Sequence, residues 1–144
     1  MILRIPRPDE LASLSDLCLR SKAVWAYGDD MLDAFRKELT LTGEDLAEDA
    51  IVLAEDRRGI AGVVQVSYDG ETCHLEKLFV EPARLGEGTG QMLYVWACRT
   101  AQGAGASEMI IASDPDAAPF YAHMGAVPDG EAESDSIPGR FLPR

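Results

Sequence analysis

The segment Leu78–Leu93 constrains the fold of this chain more than any other. It combines the end of an apolar strand, a turn that contains Gly86, Gly88 and Gly90, and the beginning of a helix. Glycine adopts backbone dihedrals that are closed to other residues, and it lets a ligand approach the main chain. The free N–H groups and the positive dipole end of the helix favour a phosphate group. The segment therefore predicts a phosphate or diphosphate site, although a tight turn without a ligand would give the same pattern.

Two other phosphate-binding folds fit this segment poorly. A P-loop needs Lys followed by Ser or Thr after its last glycine, whereas this chain has Gln91–Met92. A dinucleotide fold needs a parallel βαβ unit with an acidic residue about 20 residues further on. The strands before the glycines look antiparallel instead, and Glu108 opens the next strand. An oxidoreductase that uses a nicotinamide cofactor is therefore disfavoured.

Three consecutive runs before the glycines predict an antiparallel meander. The second run is rich in β-branched residues, and Asp56–Gly59 and Asp69–Gly70 supply the turns between the runs. The predicted strands are Ala50–Ala54, Ile60–Tyr68 and Thr72–Val80.

Apolar residues at helical spacing predict four helices around this meander. They are Asp9–Ser21, a helix capped by Asp29 or Asp30 with Met31, Leu32, Phe35 and Leu39 on one face, Gly88–Gln102 and Pro115–Met124. An edge strand at Ile2–Ile5, a short strand at Glu108–Ala112 and strand material in Ala126–Arg144 complete the order β-α-α-β-β-β-α-β-α-β. We expect one α/β (α+β) domain over residues 1–144, with a mixed central sheet flanked by helices.

Charge and cysteine content exclude several classes of partner. The chain has 13 basic and 25 acidic residues, a net charge of −12, which disfavours general binding to nucleic acid. It has no run of about 20 apolar residues that could span a membrane, and Met1–Glu10 is too charged for a signal peptide. Cys18, Cys73 and Cys98 lie far apart, without a zinc or disulfide pattern. We therefore expect a cytoplasmic protein without a metal site.

The glycine segment resembles that of the Gcn5-related N-acetyltransferase (GNAT) superfamily. In that family a strand ending in Val-x-Pro leads to Arg/Gln-x-x-Gly-x-Gly/Ala, whose backbone amides hold the pyrophosphate of acetyl-coenzyme A. Here Val80 and Pro82 match the strand end, and Gly88 and Gly90 match the last two positions. Leu85 stands at the Arg/Gln position.

A second segment strengthens the resemblance. Residues 114–126 are similar to the family motif Asn-x-x-Ala-x-x-Phe-Tyr-x-x-x-Gly-Phe. Ala117, Phe120, Tyr121 and Gly125 match it, while Asp114 replaces Asn and Ala126 replaces Phe. The end of the chain, residues 136–143, is similar to that of a bacterial subgroup of the family, and the resemblance names no substrate.

The resemblance implies an N-acetyltransferase that moves an acetyl group from acetyl-coenzyme A to the amine of a small molecule or peptide by direct attack. Backbone of the strand segment would bind the thioester, and Tyr121 would protonate or hydrogen-bond the departing sulfur. The implied coenzyme-binding residues are Leu78, Phe79, Val80, Arg84, Leu85, Gly86, Glu87, Gly88, Thr89, Gly90 and Gln91.

The base that deprotonates the amine is less clearly indicated. Glu76 lies two residues before Leu78, so both side chains should project to one face of the strand. An exposed strand glutamate without a catalytic role would give the same pattern, and His74 or a water chain are alternatives. A thiol nucleophile is disfavoured because Cys73 and Cys98 have no adjacent activating cation.

Two further interpretations stay open at this point. The same fold could hold acyl-coenzyme A without catalysis, as a sensor or subunit. The apolar run Ile137–Leu142 could place a strand against a second copy in a homodimer, or it could be an intramolecular edge strand.

Overall fold

A computed structural model describes residues 1–23, 36, 39–111, 117–126, 131–133 and 141–143. Short 3₁₀ turns at Pro8–Glu10 and Pro82–Arg84 precede two of its helices. In chain order the elements are β1 (Ile2–Arg4), α1 (Leu11–Ala23), α2 (Gly43–Glu48), β2 (Ala50–Asp56), β3 (Gly59–Asp69), β4 (Thr72–Val80), α3 (Thr89–Gly103), β5 (Glu108–Ile111), α4 (Ala118–His123), β6 (Glu131–Glu133) and β7 (Phe141–Pro143).

The central sheet has five strands in the order β1-β2-β3-β4-β5. Strands β1 to β4 are antiparallel, which confirms the meander, whereas β5 runs parallel to β4. β5 can run parallel to β4 because α3 connects them: the helix carries the chain back to the end of the sheet at which β4 begins. The mixed α/β fold expected from the sequence is therefore confirmed.

Several elements differ from the expected ones. The predicted helix around Met31, Leu32 and Phe35 lies outside the described residues, apart from Arg36 and Leu39, which are helical. Helix α2 was not predicted; the Thr42 side chain caps it by accepting from the Asp45 N–H at 3.1 Å. The C-terminal strand material forms two strands, and β7 pairs with β6 of the same chain. The edge strand predicted over Ile137–Leu142 falls partly outside the described residues.

Two apolar clusters cover the two faces of the sheet. On the face that we call the α1 face, α1 packs against the inward side chains of β2 and β3, including Ile51, Leu53 and Val63. On the opposite α3 face, the alternate residues Val52 and Val64 pack against α3. Strand alternation thus gives a three-layer arrangement, because neighbouring residues point to opposite sides of the sheet.

Gly62 on β3 lets α3 approach the sheet closely. A Cβ at this position would lie 2.8 Å from the Phe79 carbonyl oxygen and 2.9 Å from Leu93 Cδ1. No larger residue fits without a shift, so this glycine sets how deeply the N-terminal turn of α3 sits on the sheet.

Among the described residues, no helix is long and apolar enough to cross a membrane.

Candidate active site

Strand β4 leaves its neighbour β5 halfway along its length. Its first four residues pair with β5, from Thr72 opposite Glu108 to Leu75 opposite Ile111, where β5 ends. The remaining residues, Glu76–Val80, have no β5 partner in the part of the chain that the structure describes. In the described structure, this edge of β4 therefore has no strand partner just before the chain enters the glycine turn.

A β-bulge lies at the point where β4 leaves β5. Gln65 of β3 pairs with Lys77, but Val66 pairs with Leu75, so Glu76 is the inserted residue. Leu75 and Leu78, three residues apart, consequently both pack on the α3 face. Glu76 instead accepts a hydrogen bond at 2.7 Å from the hydroxyl of Ser67. Ser67 follows Val66, which packs on the α3 face, so the Ser67 side chain points to the α1 face. Glu76 therefore also lies on the α1 face. The prediction that Glu76 and Leu78 share a face is wrong, because the bulge interrupts the alternation.

Below Glu76 on the α1 face, a buried amide connects two charged side chains. Lys77 Nζ donates to Gln65 Oε1 at 3.0 Å, and Gln65 Nε2 donates to Asp49 Oδ2 at 2.7 Å. Gln65 is only 2% exposed, so both of its polar atoms are satisfied inside the protein. This chain of contacts connects Lys77 of β4 to Asp49 through Gln65 of β3.

The glycine turn ends in an uncapped helix. Gly88 is the N-cap of α3 with φ of 85°, and no side chain caps the helix. The first helical bond runs from the Met92 N–H to the Gly88 carbonyl at 3.1 Å. The N–H groups of residues 89–91 therefore have no acceptor among the described residues, which is the arrangement that favours an anion at a helix N-terminus.

The geometry of the turn requires glycine and leaves its outer side open. Gly86 and Gly88 both have φ of 85°, which other residues rarely adopt. An added Cβ at either position would meet no atom within 4 Å. A Cβ at Gly90 would make ordinary contacts with the Phe120 ring at 3.5 Å and with Val80 at 3.7 Å. The turn thus has room on its outer side for a phosphate group.

Ion pairs connect the glycine turn to the β2–β3 turn. The Arg84 guanidinium is buried, pairs with Asp56 and donates to Glu87 Oε1 at 3.1 Å. Arg58 Nη2 also donates to Glu87 Oε1, at 2.7 Å. Arg58, and then Arg84, lower the pKa of Glu87, and Arg84 lowers that of Asp56. A contact between Arg84 and a coenzyme stays a prediction. In this structure the Arg84 guanidinium is paired with the carboxylates of Asp56 and Glu87.

Tyr121 on α4 lies in a cluster of three aromatic rings. Its ring centroid is 5.2 Å from that of Phe120 and 6.0 Å from that of Tyr94 on α3. The Phe120 and Tyr94 rings meet edge to face at 6.3 Å. These contacts hold the half-buried Tyr121 ring against α3 in a defined orientation.

Sequence reasoning missed Tyr94, Ser67, Gly62 and Arg58. Tyr94 had a detectable signal, because it follows Gly90 and precedes Ala97 and Ala101 at helical spacing. An isolated glycine in a strand pattern is also a known signal of close approach. Ser67 and Arg58 had none, since their partners come from other parts of the chain.

The remaining candidate residues lie in different surroundings. His74 is half-buried opposite Ser67, and His123 is exposed on α4. Burial raises the pKa of Cys18 to about 12 and also raises that of Cys73, so thiolates there are scarce at neutral pH. In the described ranges, no group of three or more His, Cys, Asp or Glu residues could hold a metal ion.

Solved structures with this fold are known. A GCN5-related N-acetyltransferase from Rhodopseudomonas palustris superposes with a TM-score of 0.81 at 21% identity, over 99% of this chain and 90% of that chain. PaiA N-acetyltransferase from Thermoplasma acidophilum, in complex with coenzyme A, gives 0.77 at 13% identity, over 99% and 95%. AAC(6')-Iy with the bisubstrate analogue CoA-S-monomethyl-acetylneamine gives 0.61 at 19% identity, over 88% and 90%.

No curated protein matches the sequence. The family model of the acetyltransferase (GNAT) domain, however, matches residues 21–136, which include β4, the glycine turn and Tyr121. The chain therefore belongs to the GNAT acetyltransferase family.

Proposed function

We propose that this protein is an N-acetyltransferase that moves an acetyl group from acetyl-coenzyme A to a primary amine of a small molecule or peptide. The observation that carries the proposal is the course of β4. The strand leaves β5 after Leu75 and runs directly into the open glycine turn with the uncapped N–H groups of α3. Membership of the GNAT family supports it, as do the coenzyme A and bisubstrate complexes of two structural neighbours.

The residues of the turn fit a diphosphate. The N–H groups of residues 89–91 are without acceptors among the described residues, and the positive end of the α3 dipole adds to their attraction. In the proposal, the main chain of residues 84–91 holds the diphosphate, and the free edge of Leu78–Val80 holds the pantetheine arm and the thioester. Acetyl-coenzyme A supplies the acetyl group as a thioester, which an uncharged amine can attack.

Glu76 is the proposed base. An alkyl ammonium has a pKa of about 10.4, so the acceptor must lose a proton before it can attack. Glu76 lies at the bulge, beside the free edge of β4, and the Ser67 hydroxyl orients one of its carboxylate oxygens. The carboxylate would accept the proton directly or through a water molecule.

Tyr121 is the proposed acid. Its hydroxyl would donate a hydrogen bond or a proton to the coenzyme sulfur as the thioester breaks. The task is modest, since a free thiol has a pKa of about 8.5 and its thiolate leaves readily. The aromatic contacts with Tyr94 and Phe120 support the proposal because they restrict where the hydroxyl can lie.

Thermal unfolding with acetyl-coenzyme A, coenzyme A and NADH tests the binding step, since a ligand specific for the native state raises Tm. Gly88→Asp directs a carboxylate to the open outer side of the turn, where an added Cβ meets no atom within 4 Å, and should abolish the shift with coenzyme A. Gly88→Ala is the matched control, because it imposes the same backbone strain at a φ of 85° without the charge. Equal coenzyme affinity of a folded Gly88→Asp protein and the wild type would contradict the site.

Release of free thiol over a panel of amines tests catalysis. Thiol release that depends on an added amine supports the transferase. Coenzyme binding without turnover on any amine would favour the non-catalytic acyl-coenzyme A-binding module instead.

The other expectations also stay proposals. We propose one acetyl-coenzyme A-binding domain over residues 1–144, a cytoplasmic location consistent with three free thiols, and no metal, nucleic-acid or membrane partner. A homodimer is proposed as well, and light scattering that shows a monomer at tens of micromolar would remove it.

A further inference from the structure

A carboxylate lies inside the turn that is proposed to bind a diphosphate. Glu87 stands between Gly86 and Gly88, one residue before the N-cap of α3. A free carboxylate beside a diphosphate would repel it, since like charges a few Å apart cost free energy even near the surface. Binding of a diphosphate at this turn therefore requires that the negative charge of Glu87 be neutralised.

Two arginines neutralise the charge of Glu87. Arg58 donates two hydrogen bonds to the Glu87 carboxylate, from Nη2 to Oε1 at 2.7 Å and from Nη1 to Oε2 at 3.3 Å. Arg84 Nε donates to Glu87 Oε1 at 3.1 Å, and Arg84 also pairs with Asp56. Asp56, Arg58, Arg84 and Glu87, which we call the turn cluster, contain two carboxylates and two guanidinium groups. The turn cluster is therefore electrically neutral.

Arg58 is the member on which this neutrality depends. The buried Arg84 divides its charge between Asp56 and Glu87. Without Arg58 the remaining three groups carry a net charge of −1, next to the N–H groups of residues 89–91. Leu85, at the family's Arg/Gln position, is 56% exposed and brings no positive charge to the turn.

We propose that Arg58 is a positioning residue of the coenzyme site, which acts through Glu87 by cancelling its charge and holding its carboxylate against the β2–β3 turn. The proposal rests on the proposed function, since it assumes that the glycine turn binds the coenzyme diphosphate. Arg58 does not need to touch the coenzyme. A residue 29 positions before Glu87 thereby controls the charge that the glycine turn presents to its ligand.

A double-substitution cycle tests this indirect role. The dissociation constant of coenzyme A is measured by calorimetry for the wild type, Arg58→Gln, Glu87→Gln and the double variant Arg58→Gln/Glu87→Gln, at low and high salt. Arg57→Gln is the matched control. It removes the same charge from the same turn, and Arg57 makes no hydrogen bond or ion pair within the described part of the chain.

We expect Arg58→Gln to weaken coenzyme A binding about tenfold at low salt, equivalent to about 1.4 kcal/mol. High salt should reduce the loss, because the repulsion is exposed and screened. In the Glu87→Gln background the same substitution should have little effect, so the double variant regains most of the affinity. Arg57→Gln should lose far less affinity for coenzyme A than Arg58→Gln. A purely structural defect would be insensitive to salt and would not be rescued by Glu87→Gln.

Three results would overturn the inference, and they are distinguishable. If the wild type binds no coenzyme A at either salt concentration, the proposed function fails and this inference fails with it. If the wild type binds but Arg58→Gln binds equally well, only the role of Arg58 is wrong. If Arg58→Gln weakens binding equally with Glu87 or Gln at position 87, Arg58 contacts the coenzyme itself and the indirect role is wrong.

Discussion

At the scale of single residues, the two proposed proton-transfer groups reach the site from different elements. Tyr121 comes from α4 and is oriented by aromatic rings, whereas Glu76 comes from the bulge of β4 and is oriented by one hydrogen bond. The position of Tyr121 on a helix was predictable, because the sequence pattern over residues 115–124 is helical. The surroundings of Glu76 were not, because the Ser67 hydroxyl belongs to a neighbouring strand.

Tyr121→Phe removes one hydroxyl and keeps the ring contacts. We expect kcat to fall by about 10²-fold, the lower end for general acid–base catalysis, with little change in KM for the coenzyme. Steady-state thiol release measures both constants. Tyr94→Phe, the same substitution in the same aromatic cluster, is the control and should keep its rate. Unchanged turnover of Tyr121→Phe would mean that solvent protonates the thiolate.

Glu76→Gln should change the pH dependence of the reaction. Without the base, kcat/KM should rise only as the substrate amine deprotonates itself, towards its own pKa of about 10.4. Rates measured across the pH range for the wild type and the variant test this expectation. An unaltered profile would leave Glu76 as an exposed strand glutamate, with a water chain or His74 as the next candidate base.

At the scale of elements, β4 carries the proposed base and the strand segment proposed to hold the thioester. Its limits, Thr72–Val80, were predicted to the residue, since β-branched and apolar residues bounded by turn signals indicate a strand directly. The bulge at Glu76 was not predictable, because it is a property of the pairing between β3 and β4. The neighbours of a residue in the sequence show that it lies in a strand. The side of the sheet to which its side chain points depends on the pairing register with the adjacent strand.

Gly62→Ala should destabilise the packing of α3 on the sheet. The new Cβ would lie 2.8 Å from the Phe79 carbonyl oxygen, which is backbone and cannot rotate away. Overpacking of this kind costs about 1–3 kcal/mol. Urea unfolding of the variant measures the loss. Gly103→Ala at the end of α3, where a Cβ meets no atom within 4 Å, should change stability far less.

At the scale of the whole molecule, ion pairs join elements that are distant in sequence. Arg4 on β1 donates to both Glu10 oxygens at 2.8 Å and also pairs with Glu55 on β2. In the last turn of α1, Arg20 pairs with Glu81 at 2.7 Å, which connects the helix to the end of β4. These contacts place β1 and α1 relative to the strands that carry the site.

Glu10→Gln should alter acid stability. The Arg4 guanidinium, and then the Arg7 N–H, lower the pKa of Glu10 from 4.5 to about 2. The lowered pKa adds stability that is present above pH 4.5 and is lost as the pH falls towards 2. The wild type should therefore exceed Glu10→Gln in Tm above this range, and the difference should shrink within it. Glu71→Gln, which removes an exposed carboxylate without an ion pair in the described structure, should show no such trend; the same trend in both variants would contradict the assignment.

Local sequence patterns were sufficient to predict the meander, the crossover helix, the glycine turn and the family to which the chain belongs. These features depend on short-range properties, namely side-chain periodicity, turn chemistry and the spacing of Gly86, Gly88 and Gly90. Three features became visible only in the folded chain: the direction of Glu76, the close approach of α3 at Gly62, and the contact between Arg58 and Glu87, which are 29 positions apart. Such contacts depend on strand register and on packing between layers, and neither is encoded within a local stretch of residues.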